Sequence, residues 1–254
     1  MNKSILERNF SRYAHLYDTY ATIQNLAASE LSKRLPAEGI ESILEIGCGT
    51  GNYTSLLRKK FRDARIMALD ISGKMIELAK QKNHGEQVEF VIGDVEKIDI
   101  DAEFSLVTSN ATFQWIESIE KAIEKYKKVI KREGVIAFSI FGPLTFGELN
   151  QSLKEAIQDD VAITSQNFLE KKSLDILLRR YFKKTSIEEL VVKETYCSLM
   201  ELLIKIKNTG TRGRGLNGSY FLNRSFLANL EGIYLKKFGQ IEASYQIFFC
   251  KATK

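Results

Sequence analysis

Three acids and three glycines in this chain have the types and spacing to hold a positively charged nucleoside ligand. Glu45 sits inside the apolar run Ser42–Ile46, and Gly47, Gly49 and Gly51 follow at every second position. Glycines after a strand let the backbone turn sharply and approach a ligand closely. A helix beginning behind them directs unpaired N–H groups into that turn. Asp70 closes the next apolar run, where a carboxylate can accept both ribose hydroxyls of an adenine nucleoside. Asp94, in Gly93-Asp94-Val95, has the chemistry to accept an adenine amino group, with the Val95 backbone completing that edge.

The glycine spacing is G-x-G-x-G. It differs from the dinucleotide pattern G-x-G-x-x-G, whose third glycine would fall on Asn52. Charge separates the two ligand classes more sharply. A buried Glu45 is costly unless paired; a ligand ammonium relieves that cost, whereas a phosphate is repelled. Local structure alone is the competing account: a tight turn at the glycines, a helix N-cap at Asp70 and a turn residue at Asp94. Agreement among all three positions, in order, favours the ligand.

These groups must be carried to one place by a sheet. The pattern predicts strands at 42–46, 65–70, 87–92, 103–109 and 134–141, with helices at 52–61, 73–83 and 117–131 between them. Gly134 reads as the end of the third of these helices. Such alternation argues a doubly wound, mostly parallel α/β sheet with helices on both faces. Ahead of it, two helices reach Pro36, which stops the second. Beyond Pro143 the pattern predicts helices at 146–158 and 168–181, a strand at 185–195 and a last strand at 243–251. Two amphipathic segments, near 198–208 and 223–237, lie between those strands. The expected organisation is a single domain: an N-terminal helical cap over 1–36, a seven-stranded core over 37–195 and 240–254, and a helical lid inserted over 196–239.

Charge is unevenly placed. Residues 1–200 carry 28 Lys+Arg against 29 Asp+Glu, whereas residues 201–254 carry 9 against 3. A positive excess confined to the C-terminal fifth suits an acidic partner. No apolar run reaches membrane-spanning length, and MNKSILERNF lacks the apolar centre of a signal peptide. Cys48, Cys197 and Cys250 have no pairing or metal spacing. The expectation is a cytoplasmic protein without a metal, favoured as a monomer, with neither nucleic acid nor membrane as partner.

The turn after the fourth strand, Ser109-Asn110-Ala111-Thr112-Phe113-Gln114-Trp115, carries no His, Cys or Lys. A hydroxyl acceptor must lose a proton near the transition state, and some enzyme group usually takes it. A carboxylate acceptor is already ionised at neutral pH and needs only to be positioned, which supplies roughly 7–11 kcal/mol of a barrier. Trp115 in this turn and Tyr17 in the N-terminal helices can place rings beside a cationic centre, a contact of about 0.5–2 kcal/mol. Arg12, Arg212 and Arg214 are the candidates to grip an acceptor carboxylate, because a guanidinium offers paired donors.

The segments FSRYAHLYDTYA, EIGCGTG, LDISGKM, SNATFQW and FSIFGPLTFGEL occur in this order. The glycine turn resembles the first motif of Rossmann-like S-adenosylmethionine-dependent methyltransferases. The full set resembles the malonyl-acyl-carrier-protein O-methyltransferases of biotin synthesis, over essentially the whole chain and including a lid-like KIKNTGTRG. The resemblance implies methyl transfer from S-adenosylmethionine to the free carboxylate of malonyl-loaded acyl carrier protein, an acidic partner. It implies cofactor contacts at Glu45, Gly47, Cys48, Gly49 and Gly51 in the turn, at Asp70, Ile71 and Met75 after the second strand, and at Asp94, Val95 and Asn110. Positioning residues take the place of a catalytic base. Rival readings are a small-molecule carboxyl methyltransferase resembling the trans-aconitate enzymes and a non-catalytic S-adenosylmethionine-binding scaffold.

Overall fold

The computed structural model describes residues 3–159, 161–209 and 223–254. Two helices, α1 (Lys3–Tyr20) and α2 (Thr22–Arg34), precede the sheet. Then β1 (Ser42–Ile46), α3 (Asn52–Lys60), β2 (Arg65–Asp70), α4 (Gly73–Lys82), β3 (Val88–Ile92), β4 (Phe104–Asn110), α5 (Ile119–Lys128) and β5 (Ile130–Phe141) alternate. The chain continues through α6 (Gly147–Ile157), α7 (Lys171–Tyr181), β6 (Lys184–Tyr196), α8 (Leu199–Asn208), α9 (Arg224–Phe238) and β7 (Ile241–Thr253).

Seven strands form one sheet in the order β3-β2-β1-β4-β5-β7-β6. The pairs from β3 to β5 are parallel, and β7 runs antiparallel to both neighbours. The doubly wound, seven-stranded expectation therefore holds. Strand β1 is buried along its whole length, as a central parallel strand covered on both faces should be. Its residues alternate between two apolar layers: Ile43 packs with Leu57 and Ile66 on one face, Leu44 and Ile46 with Ile123 and Leu174 on the other. The same alternation points Glu45 to the Ile43 side, beneath α3.

The start of β5 departs from the expected boundaries. Helix α5 begins at Ile119, after Ser118 accepts a hydrogen bond from the Lys121 amide at 3.3 Å, and ends at Lys128. The chain then enters the sheet at once, with Ile130 opposite Phe104 and the next registered pair at Leu106 and Val135. The extra residues form a bulge, in which Glu133 takes φ 63°. Gly134 thus belongs to this bulge and does not terminate the helix; a Cβ there would stand 2.7 Å from Ile130 Cγ2 and 2.9 Å from the Lys131 carbonyl.

Because β7 is antiparallel and Ile241 pairs with Tyr196, the segment linking β6 to β7 leaves the sheet at the edge where the parallel strands end. Helix α8 packs against α1, and α9 against α6. No helix among the described residues is long and apolar enough to cross a membrane.

Candidate active site

A cleft opens at the C-terminal ends of β3, β2, β1 and β4, roofed by α1 and α2. It encloses about 950 Å³ counting its open mouth. Open parallel sheets bind ligands at this edge because the turns there expose backbone amides without closing over them.

The turn after β1 supplies the floor. Gly47 has φ 70°, and a Cβ there would lie 2.2 Å from Thr112 Oγ1. Gly49 has open space where a Cβ would be, and its N–H donates to Asp70 Oδ2 at 2.9 Å. The Ser72 N–H donates to Asp70 Oδ1 at 2.8 Å. Asp70 is thus aimed by two backbone amides, although burial still raises its pKa above the usual value. Gly47, Cys48, Gly49, Asp70, Ile71, Met75, Asp94, Val95 and Asn110 all line the cleft, as expected from the sequence.

Two residues of the glycine motif act elsewhere. Glu45 is 1% exposed, is absent from the cleft wall, and accepts a hydrogen bond from Thr54 Oγ1 at 2.7 Å. Burial and the neighbouring Asp70 raise its pKa to about 8 against the lowering effect of Thr54, so the carboxyl is largely neutral at neutral pH. Of the expected ways for Glu45 to meet a ligand ammonium, directly or through water or a turn amide, its absence from the cleft wall removes the direct one; Glu45 holds α3 from beneath the turn. Gly51, at φ 82°, precedes α3, and a Cβ there would meet Asn83 Nδ2 at 2.6 Å and Ala79 Cα at 3.0 Å. It allows α3 and α4 to approach and does not face the cleft.

The walls are aromatic at one end. Tyr17 and Trp115 both line the cleft, with Phe10 edge-on between them at centroid distances of 6.5 and 6.3 Å. Burial, with Asp70 and Asp18, raises the Tyr17 phenol, and burial likewise raises the Cys48 thiol. Neither group is ionised near neutral pH. At the other end Asp94 is paired with Lys3; burial alone would raise its pKa, but the Lys3 hydrogen bonds bring it below the usual carboxylate value. The Asn110 amide is committed as well: Nδ2 donates to the Gln24 carbonyl at 3.0 Å, and Oδ1 accepts from Ser139 Oγ at 2.7 Å.

Of the three candidate arginines for the substrate, the structure describes one. Arg12 is exposed, lies 5.7 Å over the Tyr13 ring and is absent from the cleft wall, so the structure does not bring it together with the other candidate residues. Arg212 and Arg214 lie outside the described residues. Lys3, Phe10 and Gln24 line the cleft without having been singled out from sequence. Only Phe10 carried a signal there: it stands seven residues before Tyr17, on the same face of a helix. Among the described residues no group of His, Cys, Asp and Glu forms a metal site.

This fold and cleft define a Rossmann-like S-adenosylmethionine-dependent methyltransferase. A family described as "Methyltransferase domain" matches residues 44–138. The YcgJ protein of Bacillus subtilis superposes with a TM-score of 0.63 at 14% identity, over 90% of this chain and 97% of that one. Phosphoethanolamine N-methyltransferase 2 of Haemonchus contortus, solved with S-adenosyl-L-methionine, superposes with a TM-score of 0.59 at 17% identity, over 94% of this chain and 56% of that one. Both show the fold. In sequence, the chain is 35% identical to the malonyl-[acyl-carrier protein] O-methyltransferase of Priestia megaterium, over 92% of this chain and 90% of that protein. The chain belongs to the malonyl-[acyl-carrier protein] O-methyltransferase family.

Proposed function

We propose that this enzyme methylates the free carboxylate of a malonyl group carried as a thioester on acyl carrier protein, giving the methyl ester that primes biotin synthesis. S-adenosylmethionine, when bound, supplies an activated methyl group on a sulfonium. The strand tips fit it end to end: Asp94 and Val95 at the adenine, Asp70 at the ribose hydroxyls, and the Gly47–Gly49 turn at the amino-acid end. Tyr17 and Trp115 stand where rings would face the sulfonium.

One observation carries the acceptor class: every titratable group on the described cleft wall is committed to something other than taking a proton. Lys3 is ion-paired with Asp94 and Glu96. Asp70 accepts from two backbone amides. The Tyr17 and Tyr53 phenols and the Cys48 thiol are held neutral by burial. A carboxylate acceptor arrives ionised and needs no base; a hydroxyl acceptor would.

Incubating the enzyme with methyl-labelled S-adenosylmethionine and malonyl-loaded carrier protein, then weighing the acyl group, tests this. Gain of one methyl on the acyl group is the expected result. Turnover of trans-aconitate but not of the malonyl thioester would replace the assignment with the small-molecule reading.

A further inference from the structure

Gln24 is the cleft residue that the folded chain leaves unfinished. It lies in α2 and lines the cleft, yet is only 7% exposed. Its Oε1 is buried and has no hydrogen-bond partner. Buried polar side chains are overwhelmingly satisfied, so an orphan on a cleft wall calls for a partner supplied from outside the chain. Its backbone is firmly placed: the Gln24 carbonyl accepts from Asn110 Nδ2 at 3.0 Å, and Asn110 is tied in turn to Ser139. The side chain is therefore fixed at its root, over the tip of β4, and its buried Oε1 is left without a partner.

We propose that the Gln24 amide holds the amino-acid terminus of the methyl donor, an inference that rests on the cofactor placement given above. The order of strands supplies the geometry. Adenine at the β3 tip and ribose at the β2 tip leave the rest of the ligand to run over β1 towards β4, where Gln24 stands. The chemistry agrees. That terminus is a zwitterion, with an ammonium that needs acceptors and a carboxylate that needs donors. A primary amide offers both, and a half-turn about its last torsion exchanges them. Glu45 is buried beneath the turn, off the cleft wall and bonded to Thr54, so it does not serve this end directly. Asn25, the next residue on α2, also lines the cleft, but its Oδ1 already accepts from Asn52 Nδ2 at 2.8 Å.

The test compares two ligands that differ only at this terminus. S-adenosylhomocysteine has the amino acid; 5′-methylthioadenosine keeps the adenine, ribose and thioether but lacks it. Calorimetric titration of the full-length protein should show Gln24→Leu weakening S-adenosylhomocysteine about tenfold, the loss of roughly one hydrogen bond to a charged group, with methylthioadenosine changed less than twofold. The ligand-free variant should melt no lower than the wild type, because an apolar side chain of similar size removes the orphan. Gln24→Glu, which keeps the acceptor and loses the donor, separates the ammonium from the carboxylate as the group held. Equal loss for both ligands, or no loss for either, overturns the assignment to Gln24. Wild-type protein that binds both ligands equally well would instead show that the amino-acid end is not gripped at all, which is a failure of the placement itself.

Discussion

The ammonium of Lys3 lies 2.7 Å from both carboxylate oxygens of Asp94, and its other partner is Glu96 at 2.6 Å. Lys3 is the first residue of α1, and Asp94 is the group proposed to accept the adenine amino group. At its far end α1 is tied down again: Asp18 accepts from Thr50 Oγ1 at 2.5 Å and from Lys82 at 2.5 Å. Helix α1 therefore crosses the cleft and is fastened to the turns after β1 and β3, the same turns that a nucleoside must reach.

Lys3 and adenine then compete for one carboxylate. Lys3→Met should tighten S-adenosylhomocysteine binding by roughly two- to tenfold, in line with the modest strength of partly exposed ion pairs. Added salt should tighten the wild type and leave the variant nearly unmoved, because screening weakens the pair. Titrations at two salt concentrations check both. Weaker binding in the variant would mean that Lys3 assists the ligand and does not compete with it.

Glu45 makes a pH prediction with a definite sign. Its folded pKa of about 8 lies above the unfolded value of roughly 4.3. The folded state thus holds a proton that the unfolded state has lost, and stability falls as pH rises from the unfolded value through about 8. Below that window the contribution is fully present. Melting temperature should drop between pH 5 and pH 8, and Glu45→Gln, which cannot ionise, should flatten most of that slope. Asp70, also raised by burial, leaves a slope of the same sign. A variant as pH-dependent as the wild type would contradict the buried, neutral carboxyl.

Gly49 and Gly51 look alike in sequence and should fail differently. An alanine methyl at Gly51 runs into the Ala79 backbone, so Gly51→Ala should lower the melting temperature by several degrees. Gly49 has room for the methyl but sits at φ 54°, a strain of about 1–2 kcal/mol. Gly49→Ala should cost less stability and more ligand affinity, because the added carbon projects where the ligand backbone approach is closest. Calorimetry and a thermal melt on both variants separate the two roles.

Much of this was legible in the chain itself. The strand tips carry Gly47, Asp70 and Asp94 because a βα turn fixes where a strand-ending residue must stand, and one sequence contains that information. For Glu45 the chain holds only half of the information. Being inside a strand told that it was buried, but not that Thr54, one turn into α3, would satisfy it. Gly134 resembles a helix stop in sequence because the bulge at the start of β5 depends on the register with β4. Gln24 had no signal, since an amide on a helix becomes notable only when the fold leaves it without a partner.

Lys205 and Lys207 illustrate the same limit and set the last prediction. Both belong to the basic C-terminal excess that suits an acidic carrier protein. Lys205, however, is 7% exposed; it is hydrogen-bonded to Thr22 and paired with Glu194, and it lies 5.7 and 5.8 Å over the rings of Tyr196 and Tyr245. Its charge is spent inside the protein. Removing it takes the cation from Glu194, which keeps Thr22 and Tyr196 as hydrogen-bond donors, so Lys205→Met should lower the melting temperature and report on stability before it reports on any partner. Lys207 is exposed, near the Tyr13 ring. Lys207→Glu should leave the melting temperature within about a degree, as surface substitutions do, and raise KM for malonyl-loaded carrier protein several-fold while sparing a malonyl-coenzyme A substrate. Equal loss on the two thioesters would move the docking surface away from α8.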